Sequence, residues 1–126
     1  HVAARAATAE PADKTFANWL LESQGLRPVA HSAWLQLSPE QAKELTRTLL
    51  TQDLAYSAPL LSAHRAEWIA SRLYASLDPY TSTFFASGTI EPDFKKWEPL
   101  GAATFEIAVV GMDTANAFML LATAED

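Results

Sequence analysis

The sequence predicts an α+β fold of about three helices with a small, mostly antiparallel sheet ending in a C-terminal β-hairpin. Apolar residues recur at helical spacing in the first two thirds of the chain, whereas the last third is rich in β-branched and aromatic residues. An apolar content of 49% over 126 residues is enough for one hydrophobic core. We therefore expect a single compact domain over residues 13–126, preceded by a flexible, alanine-rich arm over residues 1–12.

The first predicted helix begins at Asp13, whose carboxylate can cap it, and ends at Gly25. Its apolar face would consist of Phe16, Trp19 and Leu20. Gly25 tolerates the left-handed conformation of a Schellman motif, in which Leu26 would contact Leu21. After the helix, apolar and polar positions alternate over Val29–Leu37, and this pattern predicts a short strand.

Two further helices are predicted in the middle of the chain. Ser38 and Gln41 have the spacing of a capping box, and Pro39 occupies the first helical position, where its missing N–H costs nothing. The apolar stripe of this helix would be Ala42, Leu45, Leu49 and Leu50. The next helix is expected from about Leu60 to Leu77, because apolar residues recur there at helical spacing and Asp78-Pro79 then stops it.

The last third of the chain predicts strands. Thr81–Phe85, Thr104–Val110 and Asn116–Thr123 have strand composition, and Gly111–Ala115 would form the loop of the final hairpin. The charged stretch Gly88–Pro99 shows neither helical nor strand periodicity, so we expect it to be irregular.

Composition and motifs exclude several kinds of chemistry. The net charge of −6 disfavours nucleic acid and anionic lipid, and the apolar runs are far shorter than a membrane span, so a soluble protein is expected. The absence of cysteine excludes thiolate nucleophiles and thiolate metal sites. No nucleophile elbow, phosphate loop or zinc-protease motif occurs. We therefore assign no catalytic residue, metal ligand or cofactor, and expect His31 to be a partly buried strand residue and His64 with Glu67 a solvated pair.

The acidic last third contains the candidate binding residues. Residues 88–126 hold seven acidic residues against two lysines, so most of the net charge lies there. Aromatic side chains within an acidic rim suit a basic protein partner, because the rings supply buried area and the carboxylates steer association. The predicted partner-binding residues are Glu91, Asp93, Phe94, Trp97, Glu98 and Trp68. Phe94 or Trp97 could instead fill the core beneath a loop.

The end of the chain resembles the C-terminal parts of small bacterial immunity-type proteins. The resemblance rests on Trp97-Glu98-Pro99-Leu100, Ala103-Thr104-Phe105-Glu106, the predicted hairpin and Glu125-Asp126, about thirty residues in all. It implies a small, acidic, non-enzymatic protein that binds and neutralises a protein partner such as a toxin, and it assigns a role to no individual residue.

Two alternative functions remain open at this point. A homodimer or a chaperone-like assembly module would pair through a sheet edge, for which the strand Asn116–Thr123 has the apolar content, or through an exposed aromatic helix face. A small-ligand-binding domain, ranked lower, would use a pocket lined by His31, Trp34 or His64. The compartment is undecided: the cytoplasm is slightly favoured, and the periplasm would apply if a leader were removed before His1, which could equally be a tag remnant.

Overall fold

A computed structural model describes residues 11–52, 59–90, 95–97 and 105–124. Within these ranges the helices are α1 (Pro11–Ser23), α2 (Pro39–Thr51) and α3 (Ala63–Ala75). The strands are β1 (Leu35–Leu37), β2 (Thr83–Ala86), β3 (Gly88–Ile90), β4 (Lys95–Trp97), β5 (Phe105–Met112) and β6 (Ala117–Ala124). A single 3-10 turn over His31–Ala33 precedes β1. The predicted α+β class is confirmed.

The main sheet is antiparallel throughout and has the order β1-β2-β5-β6. Its longest pairing is the C-terminal hairpin, in which the eight residues of β5 face the eight residues of β6. A separate two-stranded sheet joins β3 and β4. The sequence did not predict this second sheet, and the expectation that Gly88–Pro99 is wholly irregular is wrong, because backbone pairing forms here without any periodic side-chain pattern.

Helices cover both faces of the main sheet. One cluster packs α1 and the segment before β1 against the sheet through Ala17, Leu21, Val29, Trp34, Phe85, Ala108, Val110 and Met112. On the opposite face, α2 and α3 contribute to clusters that contain Ala42, Leu49, Leu77, Phe84, Ile107, Val109 and Phe118. Since successive residues of β5 belong to opposite clusters, this strand is apolar on both sides, as a strand between two helical layers must be.

The first helix is placed differently from the sequence prediction. It begins at Pro11 rather than being capped by Asp13, and it turns a different face to the sheet. Of the predicted apolar face, Leu20 packs against the core cluster, whereas Phe16 and Trp19 lie at the surface. Ala17 and Leu21 are the fully buried residues. The small side chain of Ala17 allows the helix backbone to approach the sheet closely. The large rings of Phe16 and Trp19 lie on another side of the helix, which faces solvent.

The end of α1 agrees with the sequence prediction. Gly25 has a φ of 75°, in the left-handed region. The N–H of Leu26 donates to the carbonyl of Leu21 at 3.0 Å, and the N–H of Gly25 donates to the carbonyl of Glu22 at 3.0 Å. These two bonds define a Schellman motif, so the predicted helix stop is confirmed.

The predicted strand Val29–Leu37 is mostly wrong. Only Leu35–Leu37 pairs with the sheet. Further back, the backbone of Val29 is hydrogen-bonded to the side chain of Asn18 instead of to a strand. The side chain of Asn18 donates to the carbonyl of Val29 at 2.8 Å and accepts the N–H of Val29 at 2.7 Å and the indole N–H of Trp34 at 3.0 Å. His31 is exposed in the 3-10 turn, which contradicts its expected partial burial.

The two remaining helices begin at identifiable caps. The hydroxyl of Ser38 accepts the N–H of Gln41 at 3.1 Å, while the Gln41 side chain accepts the N–H of Ser38 at 2.9 Å, so the capping box is confirmed. The third helix begins at Ala63, after the cap Ser62, and is shorter than predicted. Its buried residues Ala66 and Ala70 belong to the predicted stripe.

Candidate functional site

Most of the predicted partner-binding residues fall outside the described residues. These are Glu91, Asp93, Phe94 and Glu98. Trp97 ends β4, where it is paired with Gly88. Ile90 pairs with Lys95, so the four residues 91–94 connect two antiparallel strands. Glu91, Asp93 and Phe94 therefore lie in the sequence between two paired strands.

Trp68, the remaining predicted residue, lies on α3 and is 59% exposed. The guanidinium carbon of Arg72 lies 4.9 Å from the centre of its ring, which is a cation–π contact. Arg65, three residues earlier on the same helix, is also exposed. Trp68 thus lies in a basic surrounding, which favours contact with an acidic rather than a basic group on a partner.

A second aromatic surface lies on α1. The rings of Phe16 and Trp19 stack with their centres 5.5 Å apart and their planes inclined by 18°. Trp19 is 58% exposed. This surface was not predicted, because both rings were expected in the core; Ala17 and Leu21, four residues apart, form the alternative apolar pattern that indicates the buried face.

A cleft of about 320 Å³ lies between α2 and α3. It is lined by Lys43, Arg47, Glu67, Ala70, Ser71, Tyr74 and Ala75. Arg47 Nε donates to Glu67 Oε2 at 2.6 Å, and Arg47 Nη2 donates to Glu67 Oε1 at 3.4 Å. This two-point contact fixes the guanidinium plane and joins the two helices across the cleft.

Tyr74 forms the inner wall of the cleft. The hydroxyl of Thr46 donates to the carbonyl of Ala42 at 2.8 Å and lies 2.9 Å from the Tyr74 hydroxyl. Either hydroxyl can donate in this second bond. Lys43 Nζ lies 5.7 Å from the centre of the Tyr74 ring. The Tyr74 hydroxyl is thus bound to Thr46, and Lys43 lies over its ring.

The electrostatics of the cleft favour fixed charges over proton transfer. The hydrogen bond from Arg47 lowers the pKa of Glu67, and the reciprocal bond raises the pKa of Arg47. Burial raises the pKa of Tyr74. Each shift reinforces the protonation state that the side chain already has near pH 7. The sequence could not indicate this cleft, because its charged residues come from two helices and each helix alone reads as an ordinary solvated face.

The residues that the ligand-binding alternative would use are distributed differently. Trp34 is 3% exposed and its only polar group is bound to Asn18, which leaves no polar atom for a ligand. His31 and His64 are exposed. Glu67, the predicted neighbour of His64, is bound to Arg47. Within residues 11–52, 59–90, 95–97 and 105–124, no group of three or more histidine, aspartate or glutamate residues could hold a metal ion.

Comparison with known proteins gives no relative: no protein-family model, no curated protein and no solved structure matches this chain. None of the helices in the described part of the chain has the length and hydrophobicity needed to cross a membrane.

Proposed function

We propose that this chain is a non-enzymatic protein that binds and neutralises a basic protein partner, as bacterial immunity proteins do with toxins. One observation carries the proposal: the negative charge is concentrated in the last third of the sequence. Residues 88–126 hold seven acidic residues against two lysines, whereas residues 1–87 hold eight acidic and seven basic residues.

The connection between β3 and β4 is the best candidate for the contact. It contains Glu91, Asp93 and Phe94 within four residues, and paired strands hold both of its ends. Carboxylates on such a connection would steer a basic protein, and the neighbouring ring would supply apolar contact area. Because residues 1–87 are nearly balanced in charge, the acidic residues of 88–126 would supply most of the attraction for a basic partner.

The test is retention of proteins from a lysate of the source organism on the immobilised full chain, at low and at high salt. The proposal predicts one stoichiometric basic protein that salt removes. The combined substitutions Glu91→Lys and Asp93→Lys should slow association of that protein about tenfold or more at low salt. The matched control is Glu22→Lys with Glu44→Lys, which changes the net charge equally on exposed helical residues.

Retention of no basic protein would overturn the proposal, as would equal slowing by both pairs of substitutions. Neutralisation is then tested on the retained partner, whose own activity should fall with one equivalent of this chain.

Trp68 needs a separate test, because Arg72 makes its surrounding basic. Trp68→Ala should weaken binding if the partner also presents an acidic group there. Trp19→Ala is the control, since the exposed fractions of the two indoles are 58% and 59%. Equal effects of the two substitutions would remove Trp68 from the proposed contact.

A further inference from the structure

The two edges of the main sheet differ in a way that bears on assembly. The β1 edge is three residues long, whereas the β6 edge is eight residues long. The sequence of β6, Ala-Phe-Met-Leu-Leu-Ala-Thr-Ala, contains no charged residue and no proline. Natural proteins usually protect long edge strands with charges, prolines or bulges. The β1 edge is protected because it is only three residues long, whereas the eight residues of β6 include neither a charge nor a proline.

The burial of β6 shows that its edge is open to solvent. Both faces of the strand contact core clusters: Met119 and Leu121 on the α1 side, and Leu120 and Ala122 on the other. All four of these residues are nonetheless only half-buried. Because β6 is also the last strand in the order β1-β2-β5-β6, no strand among the described residues pairs with its outer side.

The outward-pointing peptide groups of β6 follow from the register. In an antiparallel ladder, successive residues direct their N–H and C=O groups to opposite neighbours. The N–H of Ser87 donates to the carbonyl of Ala108 at 3.0 Å, so Ala108 points to the β2 side and Val109 points to β6. Val109 pairs with Leu120. Leu120 therefore points inward, and the residues that point outward are Ala117, Met119, Leu121 and Thr123.

We infer that β6 pairs with β6 of a second copy of this chain, in an antiparallel two-fold arrangement that joins the two main sheets. A register with Leu120 opposite Leu120 of the second copy sets Met119 opposite Leu121 and Ala117 opposite Thr123. All four outward residues then meet outward residues, so each outward N–H and C=O has a partner. The inference is independent of the proposed toxin-neutralising function.

Charge selects a second copy over a different protein as the occupant. An uncharged strand meets itself without any like-charge pair, and it offers nothing by which a charged partner could be chosen. β6 itself, Ala117–Ala124, carries none of the net charge of −6. A two-fold pairing also stops at two copies, because each copy uses the β6 edge of its main sheet in the contact and has no second long edge in that sheet.

The first measurement is the mass in solution across a dilution series of the full chain. The chain should shift from 13.8 kDa to twice that mass as concentration rises. A mass that stays at 13.8 kDa up to the highest attainable concentration would overturn the inference, and so would larger species, because the pairing stops at two copies.

A backbone substitution tests the edge itself. Thr123→Pro removes an outward N–H, which an edge strand tolerates, and should shift the midpoint of dimerisation to at least tenfold higher concentration. Thr123→Ala removes the same side chain but keeps the N–H, and should dimerise as the parent chain does. Equal dimerisation of the proline variant, with circular dichroism confirming that it is folded, would contradict the inference.

Hydrogen exchange gives a second readout that needs no substitution. The amides of Met119 and Leu121 should gain protection as concentration rises, whereas the inward amides of Leu120 and Ala122 should be protected throughout. Protection of all four amides in a monomer would mean that another part of the same chain covers the edge. Exchange of the outward amides at every concentration would likewise refute the pairing.

Discussion

A single asparagine shapes the first part of this chain. Asn18 is nine-tenths buried in α1, where it satisfies both backbone groups of Val29 and the indole N–H of Trp34. Buried polar groups without partners are costly, so this side chain allows a non-strand segment to pass through the core. It is also the reason that the alternating pattern around Val29 fails to become a strand.

Substitution of Asn18 by alanine should therefore be strongly destabilising. It would leave the N–H and C=O of Val29 and the indole N–H of Trp34 unpaired inside the protein. We expect a loss of about 3 kcal/mol in the free energy of unfolding, measured by urea denaturation. Gln24→Ala, at an exposed turn position, is the control and should change the free energy by less than about 0.5 kcal/mol. Similar losses for both variants would show that the Asn18 bonds contribute little.

At the scale of elements, one turn connects the C-terminal hairpin to α3. Asp113 directly follows β5, and its carboxylate accepts the N–H of Asp78 at 2.8 Å, of Ala115 at 2.7 Å and of Asn116 at 2.6 Å. Asp78 lies just after α3, so this side chain holds the hairpin turn against the end of the helix. The bonds from Asp78, Asn116 and Ala115 lower the pKa of Asp113.

The lowered pKa of Asp113 predicts a pH dependence of stability. A carboxylate that is stabilised in the folded state contributes fully above its ordinary pKa and loses that contribution as pH falls through the lowered value. Asp113→Asn should thus lower the melting temperature at pH 7, and the difference from the parent chain should shrink below about pH 4. Thermal unfolding followed by circular dichroism between pH 7 and pH 2 measures this. A difference that is constant over the whole range would contradict it.

The elements show where sequence reasoning succeeds and where it cannot. The helix boundaries at Ser38 and Gly25 were predictable because capping and left-handed stops depend on residues within one turn. The orientation of α1 was not predictable from the sequence, because it depends on which face of the helix fits against the sheet. Ala17 fits there, whereas Trp19 is too large. Gly111 illustrates the same point: a Cβ there would lie 2.5 Å from Phe118 and 3.0 Å from Leu77, a constraint visible only after folding.

The candidate site was less predictable than the fold. The sequence identified the charge and aromatic content of residues 91–98, but the pairing of β3 with β4 carries no periodic signal in three-residue strands. The α2–α3 cleft needs Arg47 and Glu67 to meet across helices twenty residues apart in the chain. No local pattern encodes such a contact.

At the scale of the whole molecule, β5 couples the two helical layers. Val109 and Val110 are both fully buried, and they belong to core clusters on opposite faces of the sheet. Loss of packing on either face therefore weakens the strand on which the other face rests. We expect the described layers to unfold in one cooperative transition.

Val110→Ala tests this coupling. It removes packing on the α1 side only, and should lower the free energy of unfolding by about 2 kcal/mol. If the molecule is cooperative, the slowest amides of α2, on the opposite face, should lose the same free energy in native-state hydrogen exchange. Val109→Ala, on the α2 side, should reproduce the effect. Unchanged exchange in α2 after Val110→Ala would show that the two layers open independently.

The burial of Trp34 gives the protein an optical asymmetry. Among the three tryptophans whose side chains the structure describes, Trp19 and Trp68 already contact water in the folded state, whereas Trp34 lies in the core with Phe85 at its edge. The exposed indoles emit at long wavelength whether the chain is folded or not. Of these three indoles, only Trp34 should contribute a blue component to the native emission, and its contribution reports on the junction of α1, the 3-10 turn and the sheet, the region that Asn18 organises.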